Sequence, residues 1–450
     1  MLKRIMTIPV LLALLLVIYF SSPGIKVNLS HLDSLGEDMV IQGQPCRIIH
    51  IYCNEPDYRW TDADNEGISC VDDVARAAIV YMRAWELDKK PAYIQKARKL
   101  LNFILFMQTE EGEFYNFIHA DGSINRDGVT SQKSFQFWAA RGYWALGEGV
   151  TFFKGMDEAF TGELVSAFVK CRMPIGKLLE KDQQYTTINA RTYPLWLVQE
   201  YAGDATSELL LGLTAFLQTE QDSVLSYFTR RLADGLVEMQ IAQDELVTGA
   251  YESWSGYWHA WGNSQVQALA AMYRVFHEER YLIAAESSAR RFSSRVATSS
   301  FIRQVQIDTD SAQIYPQIAY DIRTSALGLL DVYKATQNRD YAVLAGVAAS
   351  WLTGNNVTGE AMYDAPTGMV YDGIDPKGVN RNAGAESTIE GLYTLIEIAK
   401  EKEAQPWMYA RFHAASFASG YQDYSTLIYT KNWTITFNWN AQLFDFTITY

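Results

Sequence analysis

A helical period governs most of this chain. From Val71 the apolar and small positions Val71, Val74, Ala75, Ala78, Met82 and Trp85 recur every three or four residues, the spacing of one helix face. A short polar turn, LDKKP, then leads into a second such segment over residues 91–108. The device recurs five more times, with first helices expected to start near Lys133, Thr187, Asn263, Asp321 and Gly384. A loose repeat of about 60 residues is the mark of stacked helical hairpins. Turns inside the hairpins, such as HEER, TQNRD and KEKEAQ, are short. The segments between hairpins (residues 110–132, 242–262, 299–320 and 354–383) are long and rich in aromatic, Gly, Asn and acidic residues. Helices that alternate up and down bring all the long segments to one end. One rim is therefore expected to carry the functional loops, together with the positive ends of the first helices. Strand patterns are local: CRIIHIYC at 46–53, YDAPTGMVYDGI within a rim loop, and the alternating tail STLIYTKNWTITFNWNAQLFDFTITY.

The termini and composition narrow the class. A basic start, an apolar run from Ile8 to Phe20 and the turn-forming SSPG read as an export signal, so residues 1–24 are expected to be a signal peptide or an N-terminal membrane anchor. Residues 25–45 are polar and read as a linker, residues 46–420 as the helical-hairpin domain, and residues 421–450 as a β-rich extension packed on it. The expected location is outside the cytoplasm, secreted or anchored, with membrane contact only through that first segment. In such a compartment the four cysteines permit a disulfide between two of Cys46, Cys53 and Cys70. With a net charge of -14 and no basic stripe, nucleic acid is excluded as a partner. Thirteen per cent aromatic residues, including 12 Trp and 27 Tyr, point to a surface that stacks on sugar rings. A monomer is expected.

Phrases such as GISCVDDVARAAIVY and GVNRNAGAESTIEGL, set in six hairpins with one loop-rich rim, resemble the six-hairpin glycosidase superfamily. The resemblance implies an all-α (α/α)6 toroid with short β elements in the rim loops and at the C-terminus, and a cleft lined by the first helix of each pair. It also implies a glycoside hydrolase, inverting in most toroids of this type. The superfamily shares no single catalytic signature, so site residues rest on local chemistry.

Ser69-Cys70-Val71-Asp72 fits a capping box, with Ser69 as cap and Asp72 reaching back. Asp73 is then the spare carboxylate at the rim, with Arg76 as its alternative partner. Asp62, Asp64, Glu66, Gly67 and Asp73 also imitate a calcium loop imperfectly; no cofactor is otherwise expected, since no nucleotide loop, HExxH or redox CxxC is present. Trp60 and Asp62 in this approach segment are candidates for substrate contact. Residues 249–263, GAYESWSGYWHAWGN, crowd Tyr251, Trp254, Trp258 and Trp261 around Glu252 and His259: rings for sugar faces, with Glu252 as acid or base. Trp254, Trp258 and Trp261 also keep helical spacing, so core packing is the plain alternative. Before the sixth first helix stand Asp372, Asn380 and Glu386, of which Glu386 is also a candidate acid. Asn116, His119, Arg191 and Tyr193 complete the rim candidates. The leading expectation is a two-carboxylate hydrolase using Asp73 or Asp72 with Glu252, and Glu386 in reserve. A polysaccharide lyase using Tyr251, His259, His119, Asn116 and Arg191 competes with it, as does a non-catalytic carbohydrate-binding surface protein.

Overall fold

The computed structural model describes residues 26–63, 65–244, 246–309, 311–417 and 421–450. Its helices in chain order are α1 (Ser30–Leu35), α2 (Val71–Asp88), α3 (Pro91–Met107), α4 (Phe137–Phe153), α5 (Glu158–Phe168), α6 (Arg172–Leu179) and α7 (Gly203–Leu217). They continue with α8 (Ser223–Glu238), α9 (Gln265–Phe276), α10 (Glu279–Ser288), α11 (Ser294–Thr298), α12 (Ala319–Thr336), α13 (Arg339–Ala349) and α14 (Ala385–Lys400). Helices α2, α4, α7, α9, α12 and α14 each pack on the next, and α14 closes back on α2. This is the inner ring of an (α/α)6 toroid. Around it α3, α5, α8, α10 and α13 return on their partners, with α6 against α8 and α11 against α13. After α14 the outer place is taken by a 3-10 turn, Gln405–Tyr409, while α1 packs on α14 from the N-terminal side.

Burial explains which helix goes inside. In α2 nearly every position from Val71 to Met82 is buried, Asp73 and Arg76 included, as befits a helix wrapped by neighbours on all sides. Outer helix α8 buries only one stripe, Leu225, Thr229, Leu232, Ala233, Gly235 and Leu236. Helices α4 and α7 approach closely, so that a Cβ added to Gly147 would lie 2.2 Å from the Gly212 carbonyl oxygen. At the short-turn end, α2, α9 and α12 stop on the left-handed residues Lys89, His277 and Gln337. Each returns its N–H to the carbonyl four residues back, the usual way of closing a helix end.

Several expectations are corrected. Residues 30–41 are not linker: they form α1 and a strand, Gly36–Ile41, that pairs antiparallel with Gln44–Ile49 through a turn at Gln42 and Gly43. CRIIHIYC is split between that second strand and another, Tyr52–Asn54. No helix starts at Thr187. Residues 185–194 are instead a hairpin, Tyr185–Ile188 on Arg191–Pro194, turning at Asn189 and Ala190 with positive φ. Its Thr and Ile residues favour a pleated strand, and α7 begins only at Gly203. The four cysteines are buried and unpaired. Short strands occupy the rim loops, and the tail forms an antiparallel three-stranded sheet, Tyr424–Tyr429, Thr434–Asn440 and Asp445–Thr449. The expected signal or anchor, residues 1–24, lies outside the described residues; among those described, no helix is long and apolar enough to cross a membrane.

Candidate active site

The first two turns of the inner helices carry charges into the centre of the ring. Arg76 Nη2 meets Asp72 Oδ1 at 3.0 Å, and Arg76 Nη1 meets Glu390 Oε1 at 2.6 Å. Glu390 Oε2 lies 2.7 Å from Arg323 Nε, whose Nη2 is 3.1 Å from Glu208 Oε1. Glu208 Oε2 then accepts from Arg141 Nε at 2.6 Å, and Arg141 pairs with Asp72. The result is a closed circuit of three guanidiniums and three carboxylates from α2, α4, α7, α12 and α14. Charges this deeply placed persist only when each is paired and hydrogen-bonded, and here every member has two opposite neighbours. The Tyr320 hydroxyl joins in, donating to Glu208 Oε1 at 2.8 Å and accepting from Arg141.

Because that circuit balances, Asp73 and Glu386 are surplus carboxyls. Asp73 Oδ1 shares Arg76 at 2.9 Å, and its Oδ2 accepts from the Cys70 thiol at 3.4 Å. Burial, with the Asp72 charge added and Arg76 opposing, pushes the Asp73 carboxyl up to about 6. Glu386 stands 3.7 Å from Arg76. Burial, reinforced by Asp73 and Asp72 and opposed by Arg76, pushes it up to about 7. Its side chain is nonetheless 47% exposed, because it borders an open cleft. For Asp72, burial works against ionisation, but Arg141 and Arg76 outweigh it and hold the carboxyl below its usual range. Environments that drive neighbouring carboxyls apart in this way separate acid from anion.

A cleft of about 630 Å³ opens over this floor, lined by Asp72, Phe137, Arg141, Tyr201, Asp204, Glu208, Trp254, Ser255, Trp261, Tyr320 and Glu386 among others. Glu386 is held by its helix start: Asp372 Oδ1 accepts from Gly384 N at 3.0 Å and Ser387 Oγ at 2.6 Å. Asp72 and Asp73 are held by the start of α2, where the cap is Cys70, its sulfur accepting from Asp73 N. Ser69 instead lies in a two-residue strand and accepts from Ile49 N. The capping expectation is thereby reversed: Asp72 faces the cleft, and Asp73 is the buried one.

The remaining expected residues divide sharply. Trp254 and Trp261 border the cleft, and the Trp261 ring also carries His259, stacked at 3.9 Å, and Arg303, 4.6 Å from its centroid. Tyr251 is core, its hydroxyl donating to Ala284 O, and Trp258 is core against Phe292. Glu252 does not join Asp73. It is buried in the rim, where Oε2 accepts from Tyr193 OH at 2.8 Å and Gly256 N at 2.7 Å, and Oε1 pairs with Arg191 at 3.2 Å. Burial raises its carboxyl against those three partners, and the cluster fastens the hairpin of residues 185–194 to the 250s loop. Asn116 is buried, donating to Thr130 O, and His119 is exposed on a turn. Trp60 stacks on His50 at 3.8 Å, Asp62 is exposed, and Asn380 accepts from Asn382 N. From the calcium-like loop, Glu66 accepts from Ser131 and Thr130, Asp64 lies outside the described residues, and no metal-holding group of acids, His or Cys occurs among those described.

Sequence reasoning missed Arg141, Glu208, Tyr320, Arg323 and Glu390. The signal was present: a lone charge in the second turn of an otherwise apolar helix, as in FWAARGYWAL, SELLLGL and STIEGLYTL. It missed Tyr52 too, whose phenol is raised by burial and by the charges of Asp73 and Glu386 beside it.

No protein-family model matches the chain, and no curated protein does. Among solved structures, cellobiose 2-epimerase from Bacillus thermoamylovorans B4167 aligns with TM-score 0.59 at 12% identity, over 83% of this chain and 96% of that one. D-mannose isomerase aligns with TM-score 0.53 at 11% identity, over 78% and 91%. An unsaturated glucuronyl hydrolase aligns with TM-score 0.51 at 11% identity, over 85% and 96%. At such identities the likeness is one of fold, and chemistry must be argued from the side chains.

Proposed function

We propose that this chain, which carries the (α/α)6 toroid of the six-hairpin glycosidase superfamily, is a carbohydrate-processing enzyme that hydrolyses glycosidic bonds in its central cleft. The observation that carries the reading is Glu386: a carboxyl open to the cleft, raised to about 7, and therefore able to hold a proton for a leaving oxygen near neutral pH. Asp72 on the same floor stays ionised and is placed to stabilise positive charge as it develops at the anomeric carbon. Trp254, Tyr201 and Phe137 supply apolar walls for a sugar ring.

A lyase draws less support. Tyr251 is committed to a backbone carbonyl, Asn116 to a loop and Arg191 to Glu252, so the expected proton carriers and carboxylate-neutralising groups do not converge. The test is a panel of oligo- and polysaccharides, scored for new reducing ends with the full chain and its Glu386→Gln variant. Release by the first and its loss in the second is expected. An unsaturated product absorbing in the ultraviolet would transfer the case to a lyase, and binding without turnover on any glycan would leave a carbohydrate-binding protein.

A further inference from the structure

Hydrolysis with inversion needs a second carboxylate facing the acid across the sugar, to take a proton from the attacking water. Asp72 cannot fill that place: it lies on the same side as Glu386, both within reach of one Arg76 nitrogen, and it is tied to two guanidiniums. In the ring order α2, α4, α7, α9, α12, α14, the helix diametrically opposite α14 is α7. Its first turn carries Asp204, which borders the same cleft as Glu386.

Asp204 has an unusual neighbour. One carboxylate oxygen accepts from Ala205 N at 2.7 Å, and the other lies 3.2 Å from His259 Nε2. The His259 side chain is 1% exposed, with Trp254 at 4.4 Å and Trp261 at 3.9 Å between ring centroids. Neither imidazole nitrogen has a hydrogen-bond partner of good geometry among the described residues. A buried imidazole left unsatisfied is costly, and what it faces is the cleft carboxylate.

We infer that Asp204 is the catalytic base of this site and that His259, caged by Trp254 and Trp261, is the positioning residue that aims it. The inference rests on the hydrolase reading above. In the step it assigns, water forms a bond to the anomeric carbon as Asp204 takes one of its protons. The glycosidic C–O bond breaks with its electron pair on the leaving oxygen, which takes the Glu386 proton. One water is consumed and two hydroxyl products form; Asp204 then returns its proton to solvent and Glu386 regains one.

The test uses α- and β-glycosyl fluorides of glucose, galactose, mannose and xylose, whose leaving group needs no proton. Fluoride release is followed for the full chain and for Glu386→Gln, Asp204→Asn and His259→Phe. On the accepted fluoride, Glu386→Gln should keep most of its rate, whereas Asp204→Asn should fall by about 10²–10⁴-fold. Sodium azide should then restore turnover to Asp204→Asn, which a misfolded variant could not show. His259→Phe keeps the ring in its cage but removes both nitrogens, and should lower kcat about tenfold with KM unchanged. Asp204→Asn activity within threefold of the parent, or a sugar product that retains the fluoride's anomeric configuration, overturns the inference while the hydrolase reading stands. No release from any fluoride by the unsubstituted protein, with no turnover of the glycan panel, overturns both.

Discussion

Glu386 Oε2 lies 3.7 Å from Arg76 Nη2, while Glu390, one turn along the same helix, takes Arg76 Nη1 at 2.6 Å. One guanidinium thus serves a fully paired carboxylate and a poorly paired one, and burial, reinforced by its acidic neighbours, pushes the second, Glu386, up to about 7. The protonated form, the one able to act as an acid, predominates below that pH. Turnover of an ordinary glycoside should decline as pH rises through about 7, and this alkaline limb should vanish for a glycosyl fluoride. A limb that persists with the fluoride would assign it to another group.

Asp73 should leave its mark on stability rather than on rate. Its carboxyl moves from 3.8 to about 6 on folding, so between those values the native state binds more proton than the unfolded chain. Its contribution is therefore fully present below about 3.8 and is lost as pH rises through about 6. Asn cannot titrate. The melting temperature of Asp73→Asn relative to the parent should accordingly climb between pH 4 and pH 7, and a constant offset across that range would contradict the assignment.

Arg141 joins Asp72 to Glu208 beneath the cleft. Removing it by Arg141→Ala leaves two buried carboxylates with one cation each, and should cost about 3–5 kcal/mol in urea unfolding. An effect below about 1 kcal/mol would show that the circuit contributes little.

Two tryptophans four residues apart should behave differently. Trp254 borders the cleft and Trp258 packs on Phe292 in the core. Trp254→Ala is expected to weaken sugar binding about tenfold with little change in stability. Trp258→Ala is expected to destabilise by about 3–5 kcal/mol. Isothermal titration and thermal melts on the two variants separate the roles.

At the α4–α7 contact the prediction concerns fold alone. A methyl group on Gly147 would meet the Gly212 carbonyl oxygen at 2.2 Å, so Gly147→Ala must push the two helices apart and should cost about 1–3 kcal/mol. An unchanged melting temperature would mean that the ring opens freely there.

The hairpin repeat, the ring of first helices and the loop-rich rim were legible in the sequence because each is a local consequence of helical spacing and loop length. GISCVDDVARAAIVY and GVNRNAGAESTIEGL pointed to Asp72, Asp73 and Glu386 for the same reason: acidic residues at helix starts mark the rim by themselves. The hairpin of residues 185–194 was misread because its apolar spacing fits either period, and only pairing with a partner strand selects the pleat. Glu252 was misplaced for a related cause. Its surroundings are rich in aromatic residues whichever way the loop turns, and its true partners, Tyr193 and Arg191, lie some sixty residues away in sequence.

By itself, then, the sequence determined the architecture and the end of the toroid at which the long loops gather. Tertiary structure decided which carboxyl is raised, which is held ionised and which is a fastening. The protonation of a buried group depends on the charges that surround it in space. Those charges, such as Arg76, Asp72 and Arg141 around Glu386, come from helices brought together only when the ring closes.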